Sequence, residues 1–298
     1  MNKKSYVTLI STDEYIVGVL ALNKCLKNVK SKYELTVLVT PNISNNTVNI
    51  LKDNNINLIM IDSIDLPNWI KEKNKKNPAW EQWSHTFDKL KMFELTEFDK
   101  IVYLDSDMYI RNNIDELFEM PNLSAVVDRH IGININPNYQ KLTSGTIVIT
   151  PKKNVMPKFK KILENDESLK NKTNNIGDQD VIQIYAKDWD NKKELHLSLK
   201  YNMFFIGIDY YINKGYFRLE DLSVIHFTKK NKPWNYEKDK ISKEYLQWII
   251  EQLEIGYEKN KLEDEKENIQ FGHSYRKKII EEYSEILGEC MDIVKKYQ

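Results

Sequence analysis

The N-terminal part of the chain alternates between patterns typical of buried strands and patterns typical of helices. Apolar runs at residues 6–10, 35–40 and 56–61 predict three strands. A helix reaching to about Leu26 and a short helix at residues 47–54 are predicted between them. Because a strand–helix–strand unit places its strands in parallel, this alternation predicts a Rossmann-like half built on a parallel sheet.

The segment between the first strand and the first helix carries residues that commonly begin helices. Ser11, Thr12 and Asp13 stand there, and we expect one of their side chains to cap the helix. The glycine-rich fingerprint of dinucleotide-binding folds is absent from this segment. The sequence therefore does not predict an ordinary NAD-binding domain.

Composition limits the classes of function. The 298 residues suffice for one large α/β domain, alone or with a helical appendage. Lys plus Arg and Asp plus Glu each number 44, and the resulting zero net charge argues against a dedicated nucleic-acid binder. Cys25 and Cys290 lie at opposite ends of the chain, which predicts no disulfide framework and favours a reducing compartment.

The first residues bear on the cellular location. Asp13 and Glu14 interrupt the apolar run of residues 1–22, so we expect neither a secretory signal nor a membrane span. The resulting prediction is a cytoplasmic protein. The Lys- and Asn-rich composition fits an AT-rich bacterium or a large DNA virus, and a viral protein would work in the host cytoplasm.

Two carboxylates follow directly on a buried strand pattern. The apolar run at residues 101–104 leads into Asp105, Ser106 and Asp107. Side chains two residues apart in an extended segment point to the same side, here at the sheet edge where α/β folds bind ligands. Because converging carboxylates need a compensating charge, the pair predicts a divalent metal. A solvated turn and the nucleophile of a phosphatase-type fold are the alternatives, although the latter motif usually follows the first strand.

A second group of polar residues occurs late in the chain. A predicted strand ends in His226, and a Lys-rich turn follows until Pro233 and Trp234. An imidazole can complete a Mn²⁺ shell begun by carboxylates, and a Lys in a rigid turn can neutralise a diphosphate. The alternative interpretation is a basic surface loop with a packed Trp.

The middle of the chain carries further patterns. Residues 65–83 are polar and Trp-rich, which predicts a loop over a site, with a disordered loop as the alternative. Helices are predicted at residues 85–97, 113–119, 155–165 and 178–187, and strands at residues 124–128, 145–150 and 224–227.

The tail differs in character from the rest of the chain. From Ser242 onward, apolar residues recur at helical spacing, with a charge run at residues 258–268 that is typical of a solvated face or a linker. We therefore predict a domain boundary after residue 241, which separates the main domain, residues 1–241, from a helical appendage, residues 242–298. This appendage is expected to dock on the core or to pair with another chain.

Several motifs occur together in an order typical of one enzyme family. They are Val7-Thr8-Leu9 with Tyr15, Asp88-Lys89-Leu90, Tyr103-Leu104-Asp105-Ser106-Asp107, Thr143-Ser144-Gly145, Gly177-Asp178-Gln179 and the segment from His226 to Trp234. Through them, residues 6–236 resemble the glycogenin-like retaining glycosyltransferases of family 8. The resemblance implies an α/β GT-A fold with a Rossmann-like mixed central sheet, a UDP-sugar donor and Mn²⁺, with Mg²⁺ as the alternative ion.

The resemblance also implies roles for individual residues. Asp105, Asp107 and His226 match the metal ligands, and Lys232 matches the diphosphate contact. The remaining nucleotide-binding positions are Leu9, Ser11, Thr12, Tyr15 and Ser106. The catalytic positions are Lys89, Asp178 and Gln179, and the donor-sugar positions are Asp128, Thr143, Ser144, Asp178 and Gln179.

Retention of configuration has two explanations that the resemblance leaves open. Asp178 would act as a nucleophile that forms a covalent intermediate, or the acceptor would attack beside the leaving UDP. In the second case, Asp178 and Gln179 would position and stabilise the reacting groups.

Three positions depart from the family pattern. Thr143 stands where the family usually has Asn, and Asn175 where glycogenin has Asp, which bears on sugar and acceptor specificity. Lys229 stands where the family usually has Gly, and a Lys lacks the freedom of Gly at positive φ.

The acceptor is the least constrained part of the prediction. In glycogenin the first acceptor is a tyrosine of the protein itself, and that position falls here on Asp209, beside the candidate self-acceptors Tyr210 and Tyr211. The expected donor is UDP-glucose, followed by UDP-galactose for a galactosyltransferase acting on a separate glycan or glycolipid. The family also suggests a homodimer. A non-catalytic UDP-sugar-binding protein is the alternative outside the enzymes.

Overall fold

The computed structural model of the protein describes residues 3–76, 86–128, 141–260 and 274–297. The described strands are β1 (Lys4–Ile10), β2 (Leu35–Val39), β3 (Asn57–Met60), β4 (Lys100–Leu104), β5 (Met108–Ile110), β6 (Ala125–Asp128), β7 (Lys141–Ile149), β8 (His196–Leu197), β9 (Met203–Phe204) and β10 (Val224–His226). The described α-helices are α1 (Ile16–Asn28), α2 (Asn45–Asp53), α3 (Asn68–Lys75), α4 (Met156–Asn165), α5 (Glu167–Lys170), α6 (Asp178–Tyr185), α7 (Ile208–Asn213), α8 (Leu246–Asn260) and α9 (Ser274–Lys295).

The central sheet has seven strands in the order β3-β2-β1-β4-β7-β6-β8. β1 pairs in parallel with β2 and β4, and β2 pairs in parallel with β3. β7 runs antiparallel to both β4 and β6. The predicted Rossmann-like half and the mixed α/β sheet are therefore confirmed.

The structure also contains a second sheet, with the strand order β5-β10-β9, which the sequence patterns do not predict. β5 begins directly after Asp107 and pairs antiparallel with β10, so that Met108 faces His226 across the pair. β10 also pairs in parallel with β9. This small sheet brings the predicted strand end at His226 next to the turn that carries Asp105 and Asp107.

The apolar side chains form two clusters, and alternate residues of β1 enter different ones. Tyr6 and Ile10 belong to the cluster that also holds the buried residues of α1, the second sheet and the tail. Val7 and Leu9 belong to the cluster that includes buried residues of α4 and α6. Because successive side chains of a strand point to opposite faces, this division means that the central sheet is covered on both sides.

The tail packs on the core. In α9, Tyr283 stacks on Tyr109 of β5 at 4.8 Å and on Phe227 at 5.1 Å between ring centroids. Arg276 of the same helix forms a buried ion pair with Asp209 of α7. The expected docking on the core is thus observed, while pairing with another chain and the boundary before Ser242 stay predictions.

Among the described helices, none combines the length and the apolar character that a membrane crossing requires.

The predicted cap of the first helix is wrong. A short 3₁₀ turn, Asp13–Tyr15, precedes α1, and no side chain caps either element. The carboxylate of Asp13 instead accepts a hydrogen bond from the backbone N–H of Ser44 at 3.1 Å. The preference of Asp for a helix start is therefore overridden by a tertiary contact with the neighbouring loop.

Three further predictions are corrected in part. Within the predicted loop at residues 65–83, α3 is helical, and residues 77–83 lie outside the described residues. The helix predicted at residues 85–97 is a 3₁₀ helix, Phe87–Glu94, and His85 lies outside the described residues. Of the charge run at residues 258–268, the first three continue α8 and the others lie outside the described residues.

Gly18 makes the close approach of α1 to the turn after β4 possible. A Cβ at Gly18 would lie 2.5 Å from the backbone oxygen of Ser106 and 2.7 Å from the Trp234 ring. We expect Gly18→Ala to lower the free energy of unfolding by about 1–3 kcal/mol, measured by urea denaturation, because neither neighbour can move freely.

Gly288 of α9 provides the matched control. The three atoms nearest to its added Cβ would all belong to the flexible side chain of Lys238. Because Ala is favoured over Gly inside a helix by roughly 0.5–1 kcal/mol, Gly288→Ala should be neutral or stabilising. Equal destabilisation by both substitutions would contradict this account of Gly18.

Candidate active site

The turn after β4 is fixed by hydrogen bonds from two other strands. The backbone N–H of Asp105 donates to the carbonyl oxygen of Gly145 in β7 at 3.0 Å. The backbone N–H of Phe227, just after β10, donates to the carbonyl oxygen of Asp107 at 3.0 Å. The turn therefore joins the central sheet to the second sheet, and its two carboxylates stand at this junction.

Three side chains converge at the junction. Asp105, Asp107 and His226 each offer a ligand atom within 4.8 Å of the others. The Nε2 atom of His226 lies 3.0 Å from Oδ1 of Asp107 and 3.7 Å from Oδ2 of Asp105. A Cβ at Gly145 would lie 2.9 Å from Cε1 of His226, so the glycine leaves the space that this cluster occupies.

The donor set suits a divalent metal. Two carboxylates and one imidazole match the ligand preferences of Mn²⁺. Their ligand atoms lie close enough together for one ion to contact all three. No other such group is found among the residues that the structure describes. The three residues predicted from the sequence as ligands are thus brought together, and they fit the implied ion.

Each carboxylate of the turn also has its own buried lysine. Nζ of Lys89 lies 2.8 Å from Oδ1 of Asp105 and 3.1 Å from Oδ2 of Asp178. Nζ of Lys232 lies 2.6 Å from Oδ2 of Asp107. Both aspartates of the turn therefore direct one oxygen towards a lysine and the other towards His226.

These contacts dominate the electrostatics of the site. Burial by itself would raise the pKa of Asp107, but Lys232 and His226 hold that pKa well below its usual range. Burial would likewise lower the pKa of Lys89, but Asp105 and Asp178 raise it above its usual value. The three carboxylates and the two ammonium groups leave a formal charge of about −1, which favours a bound cation.

The lysines are held by local structure as well as by charge. Lys89 lies on the 3₁₀ helix Phe87–Glu94, and its Nζ stands 4.9 Å from the centroid of the Tyr103 ring. Lys232 also donates to the backbone oxygen of Phe227 at 2.7 Å. Because both side chains are almost fully buried, neither is the surface lysine that its residue type usually is.

The nucleotide-binding candidates cluster where β1 ends. Tyr15 lies in the 3₁₀ turn after β1, with its ring centroid 5.8 Å from Nζ of Lys232 and 5.8 Å from the Trp234 ring. Nε1 of Trp234 donates to the backbone oxygen of Glu14 at 3.0 Å, which holds the Lys-rich turn against this segment. Leu9 and Ser106 are buried, whereas Ser11 and Thr12 are half-buried.

The donor-sugar candidates divide into two groups. Ser144 donates its backbone N–H to Oε1 of Gln179 at 3.2 Å, and its hydroxyl lies 3.4 Å from Nζ of Lys89. The hydroxyl of Thr143 instead donates to the backbone oxygen of Val126 at 3.1 Å. The side chain of Asp128 lies outside what the structure describes.

The candidate self-acceptors lie on α7. Tyr211 is buried, with its ring against Tyr210, Tyr216 and Phe217. Tyr210 is half-buried. Asp209, the residue before Tyr210, is buried in its ion pair with Arg276 of the tail.

Sequence reasoning missed two residues of the site. The side-chain oxygen of Asn202 lies 2.8 Å from Nδ1 of His226 and can accept a hydrogen bond from it, and no sequence motif marks Asn202. Gly18 supports the turn after β4 by its close approach to Ser106. A glycine inside an apolar helix pattern is the signal that could have identified Gly18.

The ion pairs of Lys89 generate a stability prediction. Lys89→Met leaves Asp105 and Asp178 without their shared cation, and we expect the free energy of unfolding in metal-free buffer to fall by about 3–5 kcal/mol. Lys160→Met, which breaks an exposed pair with Glu164, should change it by less than about 1 kcal/mol. Equal effects in denaturant titrations would contradict the role given to Lys89.

Comparison with known proteins agrees with this geometry. The family profile described as Glycosyl transferase family 8 matches residues 6–238. Glycogenin-1 of Mus musculus is 28% identical over 238 residues, covering 79% of this chain and 67% of the mouse protein.

Solved structures with the same fold include two glycosyltransferases. GlyE of Streptococcus pneumoniae has a TM-score of 0.51 at 18% identity, covering 78% of this chain and 57% of the GlyE chain. The galactosyltransferase LgtC, solved with donor and acceptor sugar analogues, has a TM-score of 0.52 at 17% identity, covering 76% of this chain and 88% of the LgtC chain. At these identities the likeness establishes the fold, which is the GT-A fold expected from the sequence.

Proposed function

The chain belongs to glycosyltransferase family 8, and from this premise we propose that it is a retaining, Mn²⁺-dependent hexosyltransferase with a UDP-sugar donor. One observation carries the proposal: Asp105, Asp107 and His226 direct their ligand atoms to within 4.8 Å of one another. UDP-glucose is the first donor proposed and UDP-galactose the second, and Mg²⁺ is the alternative ion.

The metal ligands and Lys232 would act on the diphosphate. A divalent ion held by Asp105, Asp107 and His226 would supply Lewis-acid stabilisation of the departing UDP. Lys232 would give a phosphate oxygen a charge-assisted hydrogen bond. The carbonyl oxygen of Phe227, 2.7 Å from Nζ, would keep this ammonium oriented when a phosphate replaces Asp107 as its partner.

The nucleoside would lie at the end of β1. Tyr15 would stack on the uracil, because its ring is next to the diphosphate-binding Lys232. The other proposed contacts to uracil, ribose and phosphate are Leu9, Ser11, Thr12 and Ser106.

Asp178, Gln179 and Lys89 would act at the donor sugar. The carboxylate of Asp178 would offset positive charge that develops on the sugar ring, and Gln179 would be oriented by its contact with the backbone of Ser144. Ser144 and Asp128 complete the proposed donor-sugar set.

The contact between Lys89 and Asp178 favours the same-face route over a covalent intermediate. A carboxylate 3.1 Å from a buried ammonium is a weaker nucleophile than a free one. In the favoured route, the bond from the anomeric carbon to the phosphate oxygen breaks and its electron pair leaves with UDP. The acceptor oxygen bonds to the same carbon on the same face, and its proton passes to a phosphate oxygen.

The proposed transferase domain comprises residues 1–241, and residues 242–298 form a helical extension. The family match ends at residue 238, which supports a boundary near this point.

The proposed function predicts donor-specific UDP release. In the presence of Mn²⁺, we expect one donor among UDP-glucose, UDP-galactose, UDP-N-acetylglucosamine and UDP-xylose to be turned over. Asp107→Asn should reduce the rate at least about 100-fold because it removes a charged ligand. Asp62→Asn makes the same change at an exposed position and should leave the rate unchanged.

Chelation provides the second arm of this test. EDTA should abolish turnover by the parent protein, and added Mn²⁺ should restore it. Binding of UDP without turnover of any of the four donors would contradict the enzymatic proposal and favour a binding protein.

The self-acceptor proposal gives a separate prediction. We expect intact mass measurements after incubation with the active donor to reveal a hexose adduct that Tyr210→Phe removes and Tyr211→Phe retains. The reason is exposure, because Tyr211 is only 4% exposed whereas Tyr210 is half-buried. If the parent protein releases UDP and carries no hexose, the acceptor is a separate molecule.

A further inference from the structure

A chain of buried hydrogen bonds leads from His226 away from the carboxylates. Nδ1 of His226 lies 2.8 Å from the side-chain oxygen of Asn202. Nδ2 of Asn202 donates to the hydroxyl oxygen of Thr143 at 2.9 Å, and this hydroxyl donates to the backbone oxygen of Val126 at 3.1 Å. We infer that Asn202 and Thr143 are positioning residues that fix the tautomer of His226, an inference that rests on the proposed metal-dependent function.

The direction of the chain follows from its last member. The carbonyl oxygen of Val126 can only accept, so the single hydroxyl hydrogen of Thr143 is directed to it. The oxygen of Thr143 then accepts from the amide of Asn202, which turns the amide oxygen of Asn202 towards His226. Because an amide oxygen can only accept, Nδ1 of His226 carries a hydrogen.

This assignment leaves Nε2 as the ring atom available to a metal. Nε2 is also the atom that faces the carboxylates, 3.0 Å from Asp107 and 3.7 Å from Asp105. In the opposite tautomer the Nε2 hydrogen would occupy the position of the metal bond. The chain therefore selects the tautomer that the proposed site requires.

Burial makes the selection strong. Asn202 is 1% exposed and Thr143 is 5% exposed, so water has little access to substitute for either partner. The Phe204 ring meets His226 edge-on at 5.5 Å between centroids and restricts rotation of the imidazole. Partners of this kind usually contribute about 10–100-fold to metal affinity.

These hydrogen bonds also give Thr143 a role different from the donor-sugar contact that the family resemblance implies. Thr143 was expected at the donor sugar, but its hydroxyl is engaged by Val126 and Asn202. In this inference Thr143 acts through His226 and does not touch the sugar.

The first experiment reads the tautomer directly in the parent protein. Long-range ¹H–¹⁵N spectra of the metal-free full-length protein should give a protonated Nδ1 for His226. An Nδ1 without a hydrogen would overturn the inference without the use of any variant. If Nδ1 is protonated but the protein binds no Mn²⁺, the hydrogen-bond series from Val126 to His226 is supported and the proposed metal function is overturned.

The second experiment measures Mn²⁺ affinity from the electron paramagnetic resonance signal of the free ion, with UDP present. Thr143→Val and Asn202→Leu should weaken binding by about 10-fold or more, and both should change the tautomer signal. Thr143→Ser keeps the hydroxyl and should retain both the affinity and the signal of the parent.

A matched control separates this role from loss of a buried hydroxyl. Thr40 is also buried, and its hydroxyl has no hydrogen-bond partner among the described residues. Thr40→Val should leave Mn²⁺ affinity and the tautomer unchanged. Parent-like affinity and tautomer in folded Thr143→Val and Asn202→Leu, judged by circular dichroism, would refute the inference.

Discussion

Charge compensation of buried carboxylates organises this protein around one turn. Asp105 and Asp107 lie close together in the turn after β4, and each carboxylate is mostly buried. Because water cannot screen their mutual repulsion, other groups of the fold have to offset it. Lys89 and Lys232 provide this compensation from two other elements of the fold. The 3₁₀ helix that carries Lys89 and the turn that carries Lys232 are therefore bound to the same point by ion pairs as well as by apolar packing.

The second sheet positions His226 beside the two carboxylates that the ion pairs hold in place. β5 starts at the residue after Asp107, so the turn has to be followed at once by pairing with β10. That register puts His226 opposite Met108 and brings its imidazole to the two carboxylates. The metal-binding geometry proposed for the site is thus a consequence of strand pairing, because a shift of one residue would turn His226 to the other face.

The sequence was sufficient for the features that depend on neighbouring residues. The strand before Asp105, the parallel strands around β1 and the helical tail follow from local apolar periodicity, and they were predicted. The partners of Lys89 and Asn202 were not predicted, because those contacts join residues on different elements and depend on how the elements pack. The capping prediction for residues 11–13 failed for the same reason, since a contact from Ser44 determines where Asp13 lies.

The tail supports the site although the family motifs end before it. Tyr283 of α9 stacks on Tyr109 and Phe227, the first belonging to β5 and the second following His226 directly. Arg276 adds a buried ion pair with Asp209, and removal of one partner from such a pair typically destabilises a fold by about 3–5 kcal/mol. Because α9 packs on both strands that flank the candidate metal ligands, the tail and the core share one packed interior. The boundary proposed after residue 241 therefore marks the end of the family motifs and does not mark a gap in the packing. The geometry of Asp107 and His226 therefore depends on helices that carry no catalytic motif of their own.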